Sequence, residues 1–282
     1  MAQTTLEEQL LRAEGLLVQG ESEQAKDLLA RLAEDAEDYV ERNCPTTDEV
    51  QWFSFPTIFE RLAYRRVERD PRTLEDVGEP LDRLYNDLAL ACVHVGDYDL
   101  AMEALRQAVR WNPMGCEYRL NLADLYRVAG DMQEYLALTY SVFERASEAI
   151  HVVRAFLNFA GWFETEGKER QAASALRMAR RMDVRDSSLE AALKRAAGTP
   201  TDPDSVTDEE ATELLAAEGL PDAANAEIAV CLLMCATDAA AAGDAPTATN
   251  LTVRARDLVG EAAAMALVEL IRASDKEVDA HG

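Results

Sequence analysis

Residues 82–115 place two amphipathic segments on either side of one glycine and read DRLYNDLALACVHVGDYDLAMEALRQAVRWNPMG. Apolar residues recur in both segments at the three- and four-residue intervals of a helix with one buried face. Gly96 supplies the left-handed conformation that ends the first helix at little steric cost, and Pro113 stops the second helix. The stretch therefore predicts two antiparallel helices joined by a tight turn.

The same arrangement occurs twice more along the chain. Gly130 lies 34 residues after Gly96, and Gly167 lies 37 residues after Gly130. Self-similarity at such a period is typical of helical repeat proteins, in which neighbouring units bury one another's apolar faces. The predicted units comprise residues 82–115, 116–149 and 153–186. The three residues between the second and third units are expected to lengthen the last helix of the second unit.

Small, aromatic and glycine residues follow a fixed order in the first unit. They are Tyr85, Leu88, Ala89, Gly96, Tyr98, Ala101, Leu105, Ala108 and Pro113. This order resembles the tetratricopeptide repeat (TPR). The resemblance implies an all-α fold in which antiparallel helix pairs stack into a right-handed superhelix, with Ala89 and Ala101 where two helices approach most closely. The later units keep only part of the order, since Arg119, Tyr135, Thr139 and Ser147 stand at positions that are usually apolar, small or proline.

Weaker helical patterns flank the repeats. Residues 1–80 are expected to contain a degenerate helix pair and a non-repeating insertion, and residues 81–197 the three repeats and one further helix. Residues 198–208 are predicted to form a linker. Thr207 and Glu210 predict a capping box at the start of the helix that follows. Residues 209–282 form a C-terminal helical block, with its last helix ending near residue 273. This block either caps the exposed end of the repeats or acts as a separate interaction module.

The insertion contains a cluster of aromatic residues, Trp52, Phe53, Phe55 and Phe59. Consecutive aromatic side chains cannot all face inward from one helix, so some of them could form an exposed binding surface. An irregular segment packed over a helix can instead bury several rings, and we expect burial here.

Charge separates the ends of the chain from its middle. The formal net charge is −25, to which residues 1–80 contribute −10, residues 81–186 contribute −3 and residues 187–282 contribute −12. Nucleic-acid affinity depends on lysine and arginine contacts with phosphates, so acidic flanks argue against DNA or RNA as a partner. A basic protein or peptide is electrostatically favoured.

Composition also indicates a cytoplasmic protein. The N-terminus lacks the basic and apolar regions of a signal peptide, and the most apolar run, residues 228–242, is too short to span a bilayer. We therefore expect no contact with membranes. Five cysteines form an odd set without the density of a disulfide-stapled secreted protein, which fits a reducing compartment.

Residues that would indicate an enzyme are not grouped in the sequence. There is no glycine-rich phosphate loop, and His94, His151 and His281 lack metal-ligand spacing. Cys231 and Cys235 share a helix face, but they are expected to be small buried side chains. We therefore predict a non-enzymatic protein without catalytic, cofactor-binding or metal-binding residues, and no cofactor.

The TPR resemblance also implies where a partner would bind, because the first helix of each pair lines the concave face. The candidate contacts on these helices are Arg83, Asn86, Leu90, His94, Asn121, Asp124, Arg127, Arg154 and Asn158. Family members that grip a terminal carboxylate use two asparagines and three basic residues, and this chain matches that set only at Asn121 and Arg154. The groove is open to a ligand or is filled by the protein's own chain.

These expectations lead to a functional hypothesis and an alternative. The hypothesis is an interaction scaffold or chaperone-like adaptor that holds a peptide or protein segment in the concave groove. The alternative is a self-assembling structural or regulatory module, a homo-oligomer that uses the aromatic insertion or the acidic ends.

Overall fold

The computed structural model describes residues 5–281, with side chains described as far as residue 271. Contacts divide the chain into two compact units, Met1–Tyr135 and Leu136–Gly282. Within the described residues there are fourteen α-helices, one short 3-10 helix and two short strands. The fold is therefore all-α apart from one two-stranded sheet, which the helical periodicity of the sequence did not predict.

The first unit contains six complete helices. They are α1 (Leu6–Val18), α2 (Ser22–Asn43), α3 (Ile58–Glu68), α4 (Leu81–Val95), α5 (Tyr98–Trp111) and α6 (Cys116–Ala129). Helix α1 begins with a capping box in which Thr5 and Glu8 each accept a hydrogen bond from the other's backbone N–H. Helices α1 and α2 pack together as a pair, and both also contact α4.

Helices α4 and α5 form the pair predicted from residues 82–115. Gly96 has a φ of 82° and ends α4 in the left-handed conformation, as predicted. Ala89 and Ala101 are 2% and 0% exposed, so the two helices approach through small residues. Helix α5 ends at Trp111, two residues before Pro113. The local spacing of this stretch was sufficient to predict both helices.

The insertion forms a strand–helix–strand unit, whose strands were not predicted. Strand β1 (Val50–Phe53) pairs in parallel with β2 (Thr73–Asp76), and α3 connects them. The backbone N–H of Ser54 donates to the carbonyl of Trp111 at 2.9 Å, which joins the end of β1 to the end of α5. Trp111 is buried, and the Arg110 guanidinium lies 3.9 Å from the centre of its ring.

An ion pair closes the insertion at its other end. Arg72 donates from Nη2 to Asp70 at 2.6 Å, while the Tyr64 hydroxyl lies 3.0 Å from the same carboxylate. The hydrogen bonds from Arg72 hold the pKa of Asp70 well below its ordinary value. Burial and the neighbouring Asp70 raise the pKa of Tyr64 to about 12. These contacts tie α3 to the segment before β2, whereas Ser54 ties the insertion to α5.

Helix α7 (Met132–Arg145) contains the boundary between the units, and the remaining helices belong to the second unit. They are α8 (Ala149–Thr165), α9 (Glu169–Arg181), α10 (Ser187–Ala196), α11 (Asp208–Ala217), α12 (Ala226–Ala241), α13 (Ala245–Val259) and α14 (Glu261–His281). Residues 150–152 begin α8 and do not lengthen α7, because the chain leaves the helical conformation at residues 146–148. Helix α14 also continues beyond residue 273, where the sequence predicted its end.

The segment 198–208, predicted to be a linker, packs against α9. It contains a 3-10 helix (Pro203–Ser205), whose carbonyl at Pro203 accepts a hydrogen bond from Arg177 at 3.0 Å. The predicted capping box of α11 is only half formed, since Thr207 accepts from the N–H of Glu210 but no return bond is present. The Glu210 carboxylate pairs with Arg170 instead.

Candidate functional site

A cleft of about 280 Å³ lies between α4, α5 and α6 in the first unit. It is lined by Asn86, Ala89, Leu90, Val93, Leu105, Glu117, Asn121, Asp124 and Leu125. We call it the α4–α6 cleft. Four of the nine residues predicted for a partner-binding groove lie in it: Asn86, Leu90, Asn121 and Asp124.

Helix α4 supplies one wall of the cleft. Asn86, Ala89, Leu90 and Val93 follow one another at intervals of three, one and three residues, so they lie on one face of the helix. Leu90 is 44% exposed, whereas Leu105 from α5 is 2% exposed. The cleft therefore has a buried apolar floor, and Leu90 adds apolar surface that a ligand could cover.

Helix α6 supplies the opposite wall, which carries the charge. Glu117, Asn121 and Asp124 lie on successive turns of one helix face, and Leu125 lies beside them. Asp124 also pairs with Arg127, whose Nε is 3.7 Å from Oδ1. No lysine or arginine lines the cleft among the side chains that the structure describes. Its rim is therefore acidic, with one amide on each wall.

Two of the predicted groove residues contact the first helix pair and do not line the cleft. The Arg83 guanidinium donates from Nε to the Glu14 carboxylate at 2.8 Å and lies 3.5 Å from Glu7, both on α1. The hydrogen bond with Glu14 raises the pKa of Arg83. His94 Nδ1 lies 3.4 Å from the Ser22 hydroxyl. These contacts hold the first two helices beside α4.

Arg127, on α6, pairs with Asp124 and does not line the cleft. The last two predicted residues, Arg154 and Asn158, lie on α8 in the second unit. Asn158 donates from Nδ2 to the Thr139 hydroxyl at 3.4 Å. Both residues are half-buried. The two residues that match the carboxylate-binding set, Asn121 and Arg154, therefore belong to different units.

Four apolar residues that line the cleft are not among the predicted groove residues: Ala89, which was predicted only as a packing residue, Val93, Leu105 and Leu125. Val93 lies one turn beyond Leu90, and Leu125 lies one turn beyond Asn121. Leu105 comes from the second helix of its pair. Helical spacing from the selected residues would have identified Val93 and Leu125. Leu105 depends on how α5 packs against the other two helices.

A buried polar cluster surrounds Asp82 at the start of α4. Its carboxylate accepts hydrogen bonds from Asn112 and from the Tyr118 hydroxyl, both at 3.1 Å, and lies 3.2 Å from the Ser54 hydroxyl. Burial, followed by the charge of Asp82, raises the pKa of Tyr118. These hydrogen bonds join the insertion, the start of α4, the end of α5 and α6.

A second buried carboxylate, Asp87, has an unsatisfied oxygen. The residue is 7% exposed, and its Oδ2 has no hydrogen-bond partner among the described residues. Burial, followed by the charge of Glu14, raises the pKa of Asp87 to about 7 against the opposing effect of Arg83. Nothing in the sequence marked this residue, because its surroundings come from α1.

Two of the four rings of the aromatic cluster are buried and the other two are half-buried, which agrees with the predicted burial. Phe53 and Phe59 are each 2% exposed, and the ring of Phe55 stacks on Phe53 with centroids 4.7 Å apart. Trp52 is half-buried and donates from Nε1 to the carbonyl of Pro45 at 3.2 Å. The exposed apolar residue of this segment is Ile58, which is 78% exposed.

The described side chains contain no group of three or more histidine, cysteine, aspartate or glutamate residues placed to hold a metal. All five cysteines are buried free thiols, which agrees with the predicted packing role of Cys231 and Cys235. Among the described helices, none has both the length and the apolar character needed to cross a bilayer.

Comparisons with known proteins assign no family to this chain. No protein-family model matches it, and no curated protein matches it at a significant level. The α4–α6 cleft is therefore characterised by its own residues and geometry.

Proposed function

We propose that this protein is a non-enzymatic interaction scaffold or chaperone-like adaptor that holds an extended segment of a partner protein in the α4–α6 cleft. We also propose that its helix pairs form a TPR-like right-handed superhelix, that its C-terminal helices cap that superhelix, and that it works in the cytoplasm. The observation that carries the functional proposal is the convergence of Asn86, Leu90, Asn121 and Asp124 on one cleft.

The chemistry of the cleft suits a polypeptide. An asparagine amide can both donate to and accept from a peptide backbone, and the cleft presents one such amide on each wall, Asn86 and Asn121. Leu90 offers apolar contact between them. The volume of the cleft, about 280 Å³, lies just below the roughly 300–1,000 Å³ typical of small-molecule sites. This size fits one side chain and its neighbouring backbone better than a cofactor.

The TPR proposal is supported by the turn glycines and the small interface residues. Gly130 and Gly167 adopt positive φ angles of 85° and 69°, as Gly96 does. In the third pair, Ala160 and Ala172 are 3% and 0% exposed. These are the positions at which the repeat pattern requires conformational freedom and small side chains.

Selection of peptides on the purified protein tests the functional proposal. A random peptide library displayed on phage is panned against wild type, Leu90→Arg and Val128→Arg. Arginine at position 90 fills the cleft, whereas Val128 is 71% exposed on α6 and does not line it. We expect peptides enriched on wild type to bind the Val128→Arg variant equally well and to show no binding to the Leu90→Arg variant. Enrichment that persists on Leu90→Arg would reject the cleft as the binding site.

Self-association through the aromatic insertion is a second proposal, supported by the exposure of Ile58. This residue and the half-buried Phe55 line a shallow cleft of about 240 Å³ with Leu74. Light scattering over a concentration series of wild type and Ile58→Glu tests it. We expect an oligomer that the substitution dissociates, and a monomer at every concentration would reject the proposal.

A further inference from the structure

We propose that the partner segment inserts an arginine or lysine side chain into the α4–α6 cleft, with its aliphatic stem on Leu90 and Val93 and its charged end at Glu117 and Asp124. This inference rests on the proposed function, since it specifies the chemistry of the segment that the cleft would hold. It commits the cleft to a basic peptide as its occupant.

The first argument is the division of the cleft into an apolar and an acidic part. Leu90, Val93 and Leu105 provide continuous aliphatic surface from α4 and α5, while Glu117 and Asp124 stand on α6. Lysine and arginine are the side chains with a long aliphatic stem and a charged end, and they cover apolar surface while their charge stays near water. They are also the side chains that join such a stem to a full positive charge at neutral pH, which suits the two carboxylates.

The second argument is charge complementarity. Two carboxylates and no basic side chain line the cleft within the described part of the chain. Arg127 neutralises part of the charge of Asp124 from outside the cleft, and Glu117 forms no ion pair with another described side chain. The chain as a whole carries −25. Its field attracts cationic segments, and the two rim carboxylates give that attraction a specific location.

The third argument is the spacing of the polar groups on α6. Asn121 lies four residues after Glu117 and three before Asp124, so its amide stands between the two carboxylates. An arginine or lysine head group at this level contacts a carboxylate on either side. Asn86 places a second amide on the α4 wall, where it would hydrogen-bond to the peptide backbone. The same side chains thus recognise both the charge and the main chain of one extended segment.

A positional-scanning peptide library tests this inference on the full-length protein. Each pool of acetylated, amidated octapeptides fixes one residue at one position, with arginine, lysine, glutamine, methionine or glutamate compared at every position. The proteins are wild type, Glu117→Gln, Leu90→Arg and a matched control, Glu34→Gln. Glu34 is an exposed acid on α2 that does not line the cleft.

We expect wild type to bind the best arginine or lysine pool about tenfold more tightly than the matching glutamine or methionine pool. Glu117→Gln should reduce that preference about fivefold, a change within the free-energy range of an exposed ion pair. Glu34→Gln should leave the preference unchanged. An equal loss with both glutamate variants would show diffuse attraction to an acidic protein and overturn the inference.

The Leu90→Arg variant separates this inference from the proposed function. If it abolishes binding while wild type shows no preference for basic pools, the cleft binds peptides of another chemistry and only the inference fails. If it leaves binding unchanged, or if no pool binds wild type, the proposed function fails and the inference fails with it.

Discussion

The α4–α5 pair and the insertion at residues 44–80 belong to the same unit but are stabilised by different chemistry. The helix pair packs through small apolar residues, of which Ala89 and Ala101 are almost completely buried. The insertion buries aromatic rings but adds polar contacts, namely the Asp70–Arg72 ion pair and the hydrogen bond between Ser54 and Asp82. Apolar packing tolerates small shifts, whereas each polar contact requires a specific partner. The two regions should therefore respond differently to substitution.

The largest effect is expected for Asp82→Ala, which removes the polar anchor of the insertion. Asn112 and Tyr118 would lose their buried acceptor, at about 1–3 kcal/mol for each unsatisfied group, so the total loss of unfolding free energy should be about 3–5 kcal/mol. Denaturant unfolding measures the loss, and hydrogen exchange should show early opening of residues 44–80. The exposed Asp35→Ala is the control, and an equal effect there would contradict the anchoring role.

Asp87 is a second buried carboxylate on α4, and it lies close to Glu14 on α1. Its pKa of about 7 lies above the value of 3.8 expected when unfolded. Between these values the native state keeps a proton that the unfolded state has lost, so the unfolding free energy falls as the pH rises from about 4 to about 7. Asp87→Asn should remove this fall and add about 2–4 kcal/mol at pH 8, with little change at pH 4.

Denaturant unfolding of wild type and Asp87→Asn across this pH range makes the test. The charged groups around the carboxylate are Glu14, Arg83 and Asp82. Glu14→Gln, which changes one of those neighbours, should reproduce only part of the effect. A wild-type stability that does not fall between pH 4 and pH 7 would contradict the assignment.

A smaller effect is expected for Ala101→Leu, which overpacks the α4–α5 interface. The added side chain has no space between the helices and should reduce the unfolding free energy by about 1–3 kcal/mol. Thermal unfolding of this variant is compared with that of Glu103→Leu, which adds a leucine to the exposed face of the same helix. Similar melting temperatures for the two variants would mean that the helices do not meet at Ala101.

The smallest effect is expected at the turn of the same pair. Gly96→Ala places a side chain at a φ of 82° and should reduce the unfolding free energy by about 1–2 kcal/mol. Gly15→Ala is the matched control, because Gly15 lies within α1 with open space around it and alanine there should add about 0.5–1 kcal/mol. Opposite signs for the two variants in denaturant unfolding would support the turn geometry, and equal signs would contradict it.

The helix pairs were predictable because their determinants are close in sequence. The positive φ of Gly96, Gly130 and Gly167 and the burial of Ala89 and Ala101 follow from residue type and spacing alone. Helical spacing also predicts which positions of α4 and α6 face the cleft, and Asn86 and Asn121 are two of these predicted positions.

The insertion was not predictable because its determinants are distant in sequence. Strands β1 and β2 have four residues each and pair across a gap of 19 residues that includes α3, too short a pattern for strand periodicity to stand out. The partners of Asp82 lie 28 to 36 residues away. Arg83 and His94 were placed in a groove from their helix positions, but carboxylate and hydroxyl partners on the first helix pair decide where they point.

The distribution of the three tryptophans allows the unfolding of each unit to be followed by intrinsic fluorescence. Trp52 and Trp111 belong to the first unit, whereas the third tryptophan, Trp162, belongs to the second. Trp111 is buried under the Arg110 guanidinium, and Lys168 lies 5.5 Å from the ring of Trp162. Intrinsic fluorescence of Trp162→Phe would therefore follow the first unit alone, and that of the Trp52→Phe, Trp111→Phe double variant the second. The order in which the two units melt is readable without attaching a dye.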